Sequence, residues 1–438
     1  MNTQRRTGLP LLINCATVVA LASCGGGSSD DSAYTLAGSV SGLTTSGLVL
    51  ANGSSTQAVA SGATSFTFSD SMTGSYSVSV ATQPDGQTCV VSNASGDGGS
   101  NVRSVVVTCR GYVAFTSNWY SGTLGEFTVG STGALSAQSP ATLSTNSYLP
   151  SSISTSADGK FAYVSFQNNK TIGVYSISAS TGALSLVGTG SADSAGYGLA
   201  ISPDSKYLYA ANYGGATVSQ FTIGSTGALT AMSTPSVAAG VNPYAVAVSP
   251  DGLYAYVVNA SGNSVSQYSI GSTGALTALS PAAVSLSSVG TTPLAIAIAP
   301  DSNYLYVTLS DSAKLAQFSI GSGGLLTALS PASVSTGTSP SGIVVSPGGR
   351  YAYVANSGDN TVSQYSISSG KLTAMATPTV ATGTGPSGMA VSPSGSFVYA
   401  ANYNDATVTS FSVGSSGALA SLGTASTNGS GPSGISVR

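Results

Sequence analysis

The sequence predicts an all-β chain: a seven-bladed β-propeller over residues 111–438, closed by its own C-terminal strand and preceded by a small β-sandwich-like domain over 32–110. Three observations carry this. First, one motif recurs, with Asn118, Phe166, Asn212, Asn259, Leu309, Asn356 and Asn402 in register at spacings of 48, 46, 47, 50, 47 and 46 residues. Second, an aromatic follows nine residues later in every copy, from Phe127 and Tyr175 through to Phe411. Third, each period holds four short strand signals separated by Gly, Asn, Asp and Pro turns, with no helical periodicity.

Taken in order, the chain opens with an export signal over 1–23, in which Arg5 and Arg6 precede an apolar run from Leu9 to Ala22. That run is too short to be a comfortable membrane span. Leu21-Ala22-Ser23-Cys24 resembles the lipobox of bacterial lipoproteins. The resemblance implies that Cys24 becomes the lipidated first residue of the mature chain, and Gly25 implies sorting to the outer membrane. Residues 24–31 form a flexible tether. Removing 1–23 takes two of the eleven basic residues, so nine remain against fourteen acidic ones and the net charge moves from −3 to −5.

Residues 32–110 lie outside the repeat but carry six or seven short β runs, among them Leu36 to Leu43, Ser65 to Phe68, Tyr76 to Val80 and Val102 to Cys109. A domain this small gains from a covalent staple. Cys89 and Cys109, the two cysteines left beside the lipidated Cys24 after export, are expected to form a disulfide. The expected role of the domain is a spacer between membrane and propeller.

In the propeller, blade 4 illustrates the unit. An inner strand from Tyr244 to Ser249 turns at Pro250-Asp251-Gly252 into a second strand from Tyr254 to Val258. A third runs from Ser264 to Ile270, and Gly271-Ser272-Thr273-Gly274 turns into the outer strand at Ala275. The first second-strand copy, Tyr112 to Ser117, has no inner strand before it, and the last inner strand, Gly434 to Val437, has no second strand after it. The two orphans complete one another and close the ring, which removes the open faces of a linear array.

Tyr207-Leu208-Tyr209-Ala210-Ala211-Asn212, and the same pattern at 254–259 and 351–356, resemble the YVTN repeat, and 111–438 is similar to the lactonase-like seven-bladed propellers. That resemblance implies the fold, and it implies lactone chemistry only as one of several activities such propellers carry.

The remaining residues limit the chemistry. There is no His, which removes the commonest general base and every Ser-His-Asp or Cys-His arrangement. Charged residues are 6 % of the chain, against about 25 % in an average domain, and no basic stripe exists for nucleic acid. Asp158, Asp204, Asp251 and Asp301 repeat at one turn position and read as turn formers. Gln220, Gln267, Gln317 and Gln364, with Glu126 in blade 1, repeat in the third strand and read as one hydrogen-bonding task between blades.

The face left to bind is the loop-rich one. Trp119, Tyr120, Tyr213 and Tyr403 lie in the loops between second and third strands, and Tyr148, Tyr197 and Tyr244 come from those preceding the inner strands. Such aromatics suit stacking on a sugar ring or gripping a protein loop. Asp311, Asp359 and Asp405 join them from three consecutive blades, placing carboxylates where a cation could be drawn, although no motif assigns a metal or cofactor. The expectation is a monomeric, lipid-anchored envelope propeller that binds or scaffolds a glycan or envelope protein without catalysis. The alternative is a lactonase-like hydrolase acting on a sugar or acyl lactone. A charged, non-periodic cluster at the axis would favour the enzyme.

Overall fold

A computed structural model describes residues 33–438 apart from 85, 146–148 and 195. Among the described residues there are nine four-stranded sheets. Seven are the blades, each an antiparallel run of four, and blade 3 comprises Gly196–Ile201, Tyr207–Asn212, Thr217–Ile223 and Leu229–Ala238.

The second strands explain why the repeat is apolar almost without alternation. A strand covered on both faces needs bulk on both, and from Leu208 to Asn212 every residue is buried. Leu208 and Ala210 pack with Tyr163 of blade 2 and Leu199 of their own blade, whereas Tyr209 and Ala211 pack with Val246 and Val257 of blade 4. Each strand therefore belongs to two cores at once.

Polar residues stitch the same seams. The Tyr209 hydroxyl donates to the Gly274 carbonyl of the next blade at 2.7 Å, and Tyr163, Tyr256, Tyr306, Tyr353 and Tyr399 repeat this, the last reaching Gly133 across the closure. Gly274 sits at φ +81°, and a Cβ there would lie 2.3 Å from the Tyr207 ring. The Gln220 amide donates to Thr234 O in its own outer strand, and its carbonyl accepts from Leu276 N in blade 4. Gln267, Gln317 and Gln364 do likewise. The repeated glutamine is a relay that satisfies a buried backbone N–H of the next blade and a partly buried carbonyl of its own.

The C-terminal strand Pro432–Val437 pairs antiparallel with Val113–Asn118, with Ile435 opposite Thr116 and Val437 opposite Ala114, as the orphan strands require.

The other two sheets form a sandwich over 36–111. One is ordered Ser65–Thr67, Leu36–Ser41, Val102–Gly111, Gln87–Ser92, and the other Ser55–Val59, Leu48–Asn52, Ser75–Thr82, Ser95–Asp97. It has eight strands rather than the six or seven expected, because Ser55–Val59 and Ser95–Asp97 carry little β propensity and pair through their neighbours. Leu36, Leu50, Val105 and Val107 form its dry centre. Cys89 and Cys109 sit directly opposite one another and are joined by the expected disulfide.

The sandwich meets the propeller on the face carrying the turns after the inner strands. The Tyr112 hydroxyl donates to Pro84 O at 3.2 Å, and the Arg110 guanidinium donates to Gly159 O at 3.0 Å. Cys24 and the signal lie outside the described residues.

Candidate functional site

The inner strands converge around a cavity of about 630 Å³ on the opposite face. They can approach so closely because the residues nearest the axis are small. A Cβ on Gly342 would lie 2.4 Å from Ser387 O of the next blade. The residue just before each of these small ones decides what the cavity offers. In blade order 1 to 7 it is Ser433, Ser151, Tyr197, Tyr244, Leu294, Ser341 and Ser387. The ring is thus divided, with serines on four adjacent blades (6, 7, 1 and 2) and apolar or aromatic side chains on the other three.

Each serine is bound to the inner strand of the next blade. Ser341 donates to Pro386 O at 2.8 Å, Ser387 to Pro432 O at 2.8 Å, Ser433 to Pro150 O at 3.1 Å and Ser151 to Gly196 O at 2.9 Å.

Opposite them the aromatics form a continuous wall. Tyr197 is at its centre, with ring centroids 4.8 Å from both Tyr213 and Tyr244 and 6.0 Å from Trp119. A second pair, Tyr120 and Tyr403 at 5.5 Å, stands at the mouth from blades 1 and 7. Burial raises the pKa of Tyr197, and it pushes that of Tyr244 up to about 12. Burial and a hydrogen bond with Tyr120 raise that of Tyr403 as well. All three are therefore neutral phenols near neutral pH, able to donate a hydrogen bond but not to act as bases.

Of the residues expected at the ligand face, Trp119, Tyr197, Tyr244 and Tyr403 line the cavity. Tyr213 packs behind them, and Tyr120 is 64 % exposed at the rim. Tyr148 lies outside the described residues. The idea of a shared cation site on the rim needs correction. Thr338 donates both its N–H and its hydroxyl to Asp359, Thr384 does the same to Asp405, and the Thr292 hydroxyl donates to Asp311. These bonds hold Asp359 and Asp405 below the usual carboxylate pKa range. Each aspartate ties its own blade's loops together, and among the described residues no three His, Cys, Asp or Glu side chains are grouped to hold a metal. The repeated Asp158 and Asp204 are turn formers as expected, accepting from Ser156 and Ser202 two residues earlier.

Sequence reasoning passed over the four serines and Leu294, along with Asn404 at the mouth. The signal was present, because they occupy the strand position of Tyr197 and Tyr244. Among the described residues lining the cavity none is Asp, Glu, Lys or Arg. The one glutamate, Glu126, is buried in the seam between blades 1 and 2, where its carboxylate accepts from Leu184 N and burial raises its pKa.

The family model for "Lactonase, 7-bladed beta-propeller" matches residues 137–241 and 199–437. A putative 6-phosphogluconolactonase from Bacteroides fragilis is similar in structure at TM-score 0.65 and 20 % identity, over 75 % of this chain and 98 % of that one. The periplasmic gluconolactonase of Pseudomonas aeruginosa gives 0.64 and 20 %, over 74 % and 98 %. Hydrazine synthase of Kuenenia stuttgartiensis gives 0.53 and 19 %, over 66 % and 89 %, so the fold alone spans unrelated chemistries. No match was found among curated proteins. With the two family matches together spanning residues 137–437, the chain belongs to the lactonase seven-bladed β-propeller family.

Proposed function

We propose that the axial cavity takes a neutral, hydroxylated cyclic ligand of the sugar-lactone class and that the chain acts on it as a lactonase-type propeller. The observation that carries this reading is the division of the cavity wall into an aromatic side centred on Tyr197 and a hydroxyl side on four adjacent blades. A sugar ring has the same division, with C–H faces that stack on aromatic rings and hydroxyl edges that hydrogen-bond. The family match supports the lactone in particular. A phosphorylated lactone fits poorly, since among the described lining residues no cation is there to neutralise it and Asp359 and Asp405 stand ionised on the rim.

For hydrolysis, the phenols of Tyr197, Tyr244 and Tyr403 supply donors for a developing oxyanion, worth about 10²–10³ in rate. Among the described lining residues there is no carboxylate or imidazole to take the proton of the attacking water. That observation favours a second reading, in which the cavity binds the lactone or its parent sugar without turning it over. Purified protein with glucono-δ-lactone separates the two: acid release above the spontaneous rate, lost in Tyr197→Ala, supports hydrolysis. Calorimetric binding without acid release supports the second reading. Neither signal would end both.

The envelope address belongs to the same proposal. Cys24 anchors a monomeric chain to the outer membrane, and mass spectrometry finding residue 24 unmodified would remove the anchor.

A further inference from the structure

We infer that the serines on blades 6, 7, 1 and 2 select for ligand hydroxyls as hydrogen-bond donors, so that the cavity reads a polyol edge and not a carbonyl edge. This rests on the reading of the axial cavity as the ligand site, and concerns which side of the ligand faces which side of the wall.

The argument is an inventory of donors and acceptors. A serine hydroxyl holds one proton and two lone pairs. In all four serines a main-chain carbonyl of the next blade lies 2.8 to 3.1 Å away to take that proton, and Ser151 and Ser433 also meet the hydroxyls of Ser165 and Ser117 at 2.8 and 3.2 Å. Ser341, Ser387 and Ser433 each have a second carbonyl of that strand within 3.1 to 3.4 Å, and Ser151 has the Tyr197 carbonyl at 3.2 Å. Turning one of these hydroxyls toward the cavity would break a bond that joins two blades. What the serines can offer a ligand is therefore lone pairs alone.

Donors come from elsewhere. The indole of Trp119, the phenols of Tyr197, Tyr244 and Tyr403 and the amide of Asn404 are lining side chains with protons of their own to give. A ligand with a carbonyl on one side and hydroxyls on the other has one matched orientation. Its hydroxyls lie along Ser341, Ser387, Ser433 and Ser151, and its carbonyl turns toward the tyrosines. The reverse orientation sets oxygen lone pairs against oxygen lone pairs, which leaves polar groups desolvated and unpaired.

Calorimetry on the unaltered full chain tests this with three probes: glucono-δ-lactone, its analogues with single hydroxyls replaced by fluorine, and 1,5-anhydroglucitol, which keeps the hydroxyls and lacks the carbonyl. Fluorine is close in size to the hydroxyl it replaces and cannot donate. The expectation is a loss of affinity of roughly threefold to tenfold at two or more ring positions. Ser387→Ala should shrink that loss, with its melting temperature recorded to separate recognition from folding. Fluorinated analogues that bind as well as the parent overturn the inference while leaving the lactone reading intact. Anhydroglucitol binding as tightly as the lactone, with the fluorine penalty retained, supports the inference while removing the lactone carbonyl from recognition. Failure of both parent compounds to bind overturns both.

Discussion

The seams between blades and the ring around the axis are built from the same seven repeats, yet they differ in what repeats. At the seams, a tyrosine-to-glycine bond recurs six times, and a glutamine relay joins blades 3 to 7 in succession. At the ring, one strand position is Ser in four blades, Tyr in two and Leu in one. Stability asks the same of every seam, so the solution repeats. A ligand asks different things of different sides, so the ring breaks the repeat. In a propeller, departure from periodicity at a wall-lining position is a better pointer to function than residue type.

Breaking the ring's closure is expected to have the largest effect. Deleting 432–438 removes the inner strand of blade 1 and opens the interface of blades 7 and 1, where Ile435 packs beside Ala390 and Tyr399. The expected outcome is a fall in melting temperature of about 10 °C or more, or loss of the cooperative transition. An unchanged melt would mean that closure contributes nothing.

Next comes a single seam. Gln267→Leu keeps the volume but orphans Leu326 N–H and Pro281 O, both of which the glutamine now satisfies. The buried Leu326 N–H left unpaired costs about 1–3 kcal/mol, and the partly buried Pro281 O adds less. Thermal unfolding should show this, with affinity for glucono-δ-lactone unchanged in the folded protein. Tyr197→Ala should do the opposite, lowering affinity more than tenfold with a smaller change in melting temperature. If both variants moved both observables, the division between seam and ring would fail.

Glu126 sharpens the comparison through pH. It occupies the relay position in blade 1, and burial raises its folded-state pKa above the ordinary 4.5. Between the two values the folded chain holds a proton that the unfolded chain gives up. Its contribution to stability is complete below about pH 4.5 and is lost as pH rises through the folded value. Glu126→Gln supplies the amide used in blades 3 to 6 and should raise the melting temperature by a few degrees at pH 8 and by less at pH 4. An equal shift at both would mean that protonation plays no part.

How much of this could be read from the sequence follows the same division. The blades, their number and the closing strand were legible because the second strand and the aromatic nine residues beyond its end recur seven times. Ser55–Val59 and Ser95–Asp97 were not, since short polar strands are defined by their partners. Around the axis, Tyr197 and Tyr244 stood out by size, whereas Ser387 was indistinguishable from the many serines of turns and edges until its hydroxyl was seen to reach Pro432. The rim aspartates misled for a related reason. A sequence shows carboxylates, but not that threonines from the same blade will occupy them.

That last point yields the smallest expected effect. Asp405 accepts two hydrogen bonds from Thr384 and is exposed, with its pKa held down by those bonds. Because the folded value is depressed, its contribution is present above the ordinary 3.8 and is lost as pH falls through the folded value. Solvent screens most of it at neutral pH. Asp405→Asn keeps one oxygen for Thr384, so the melting temperature at pH 7 should change by about 1 °C or less. Millimolar calcium should leave both proteins unmoved. A calcium-dependent rise in the unaltered chain that vanished in Asp405→Asn would restore the rim as a cation site, because a single carboxylate with both oxygens already bonded to its own loop offers an ion little without further carboxylates beside it.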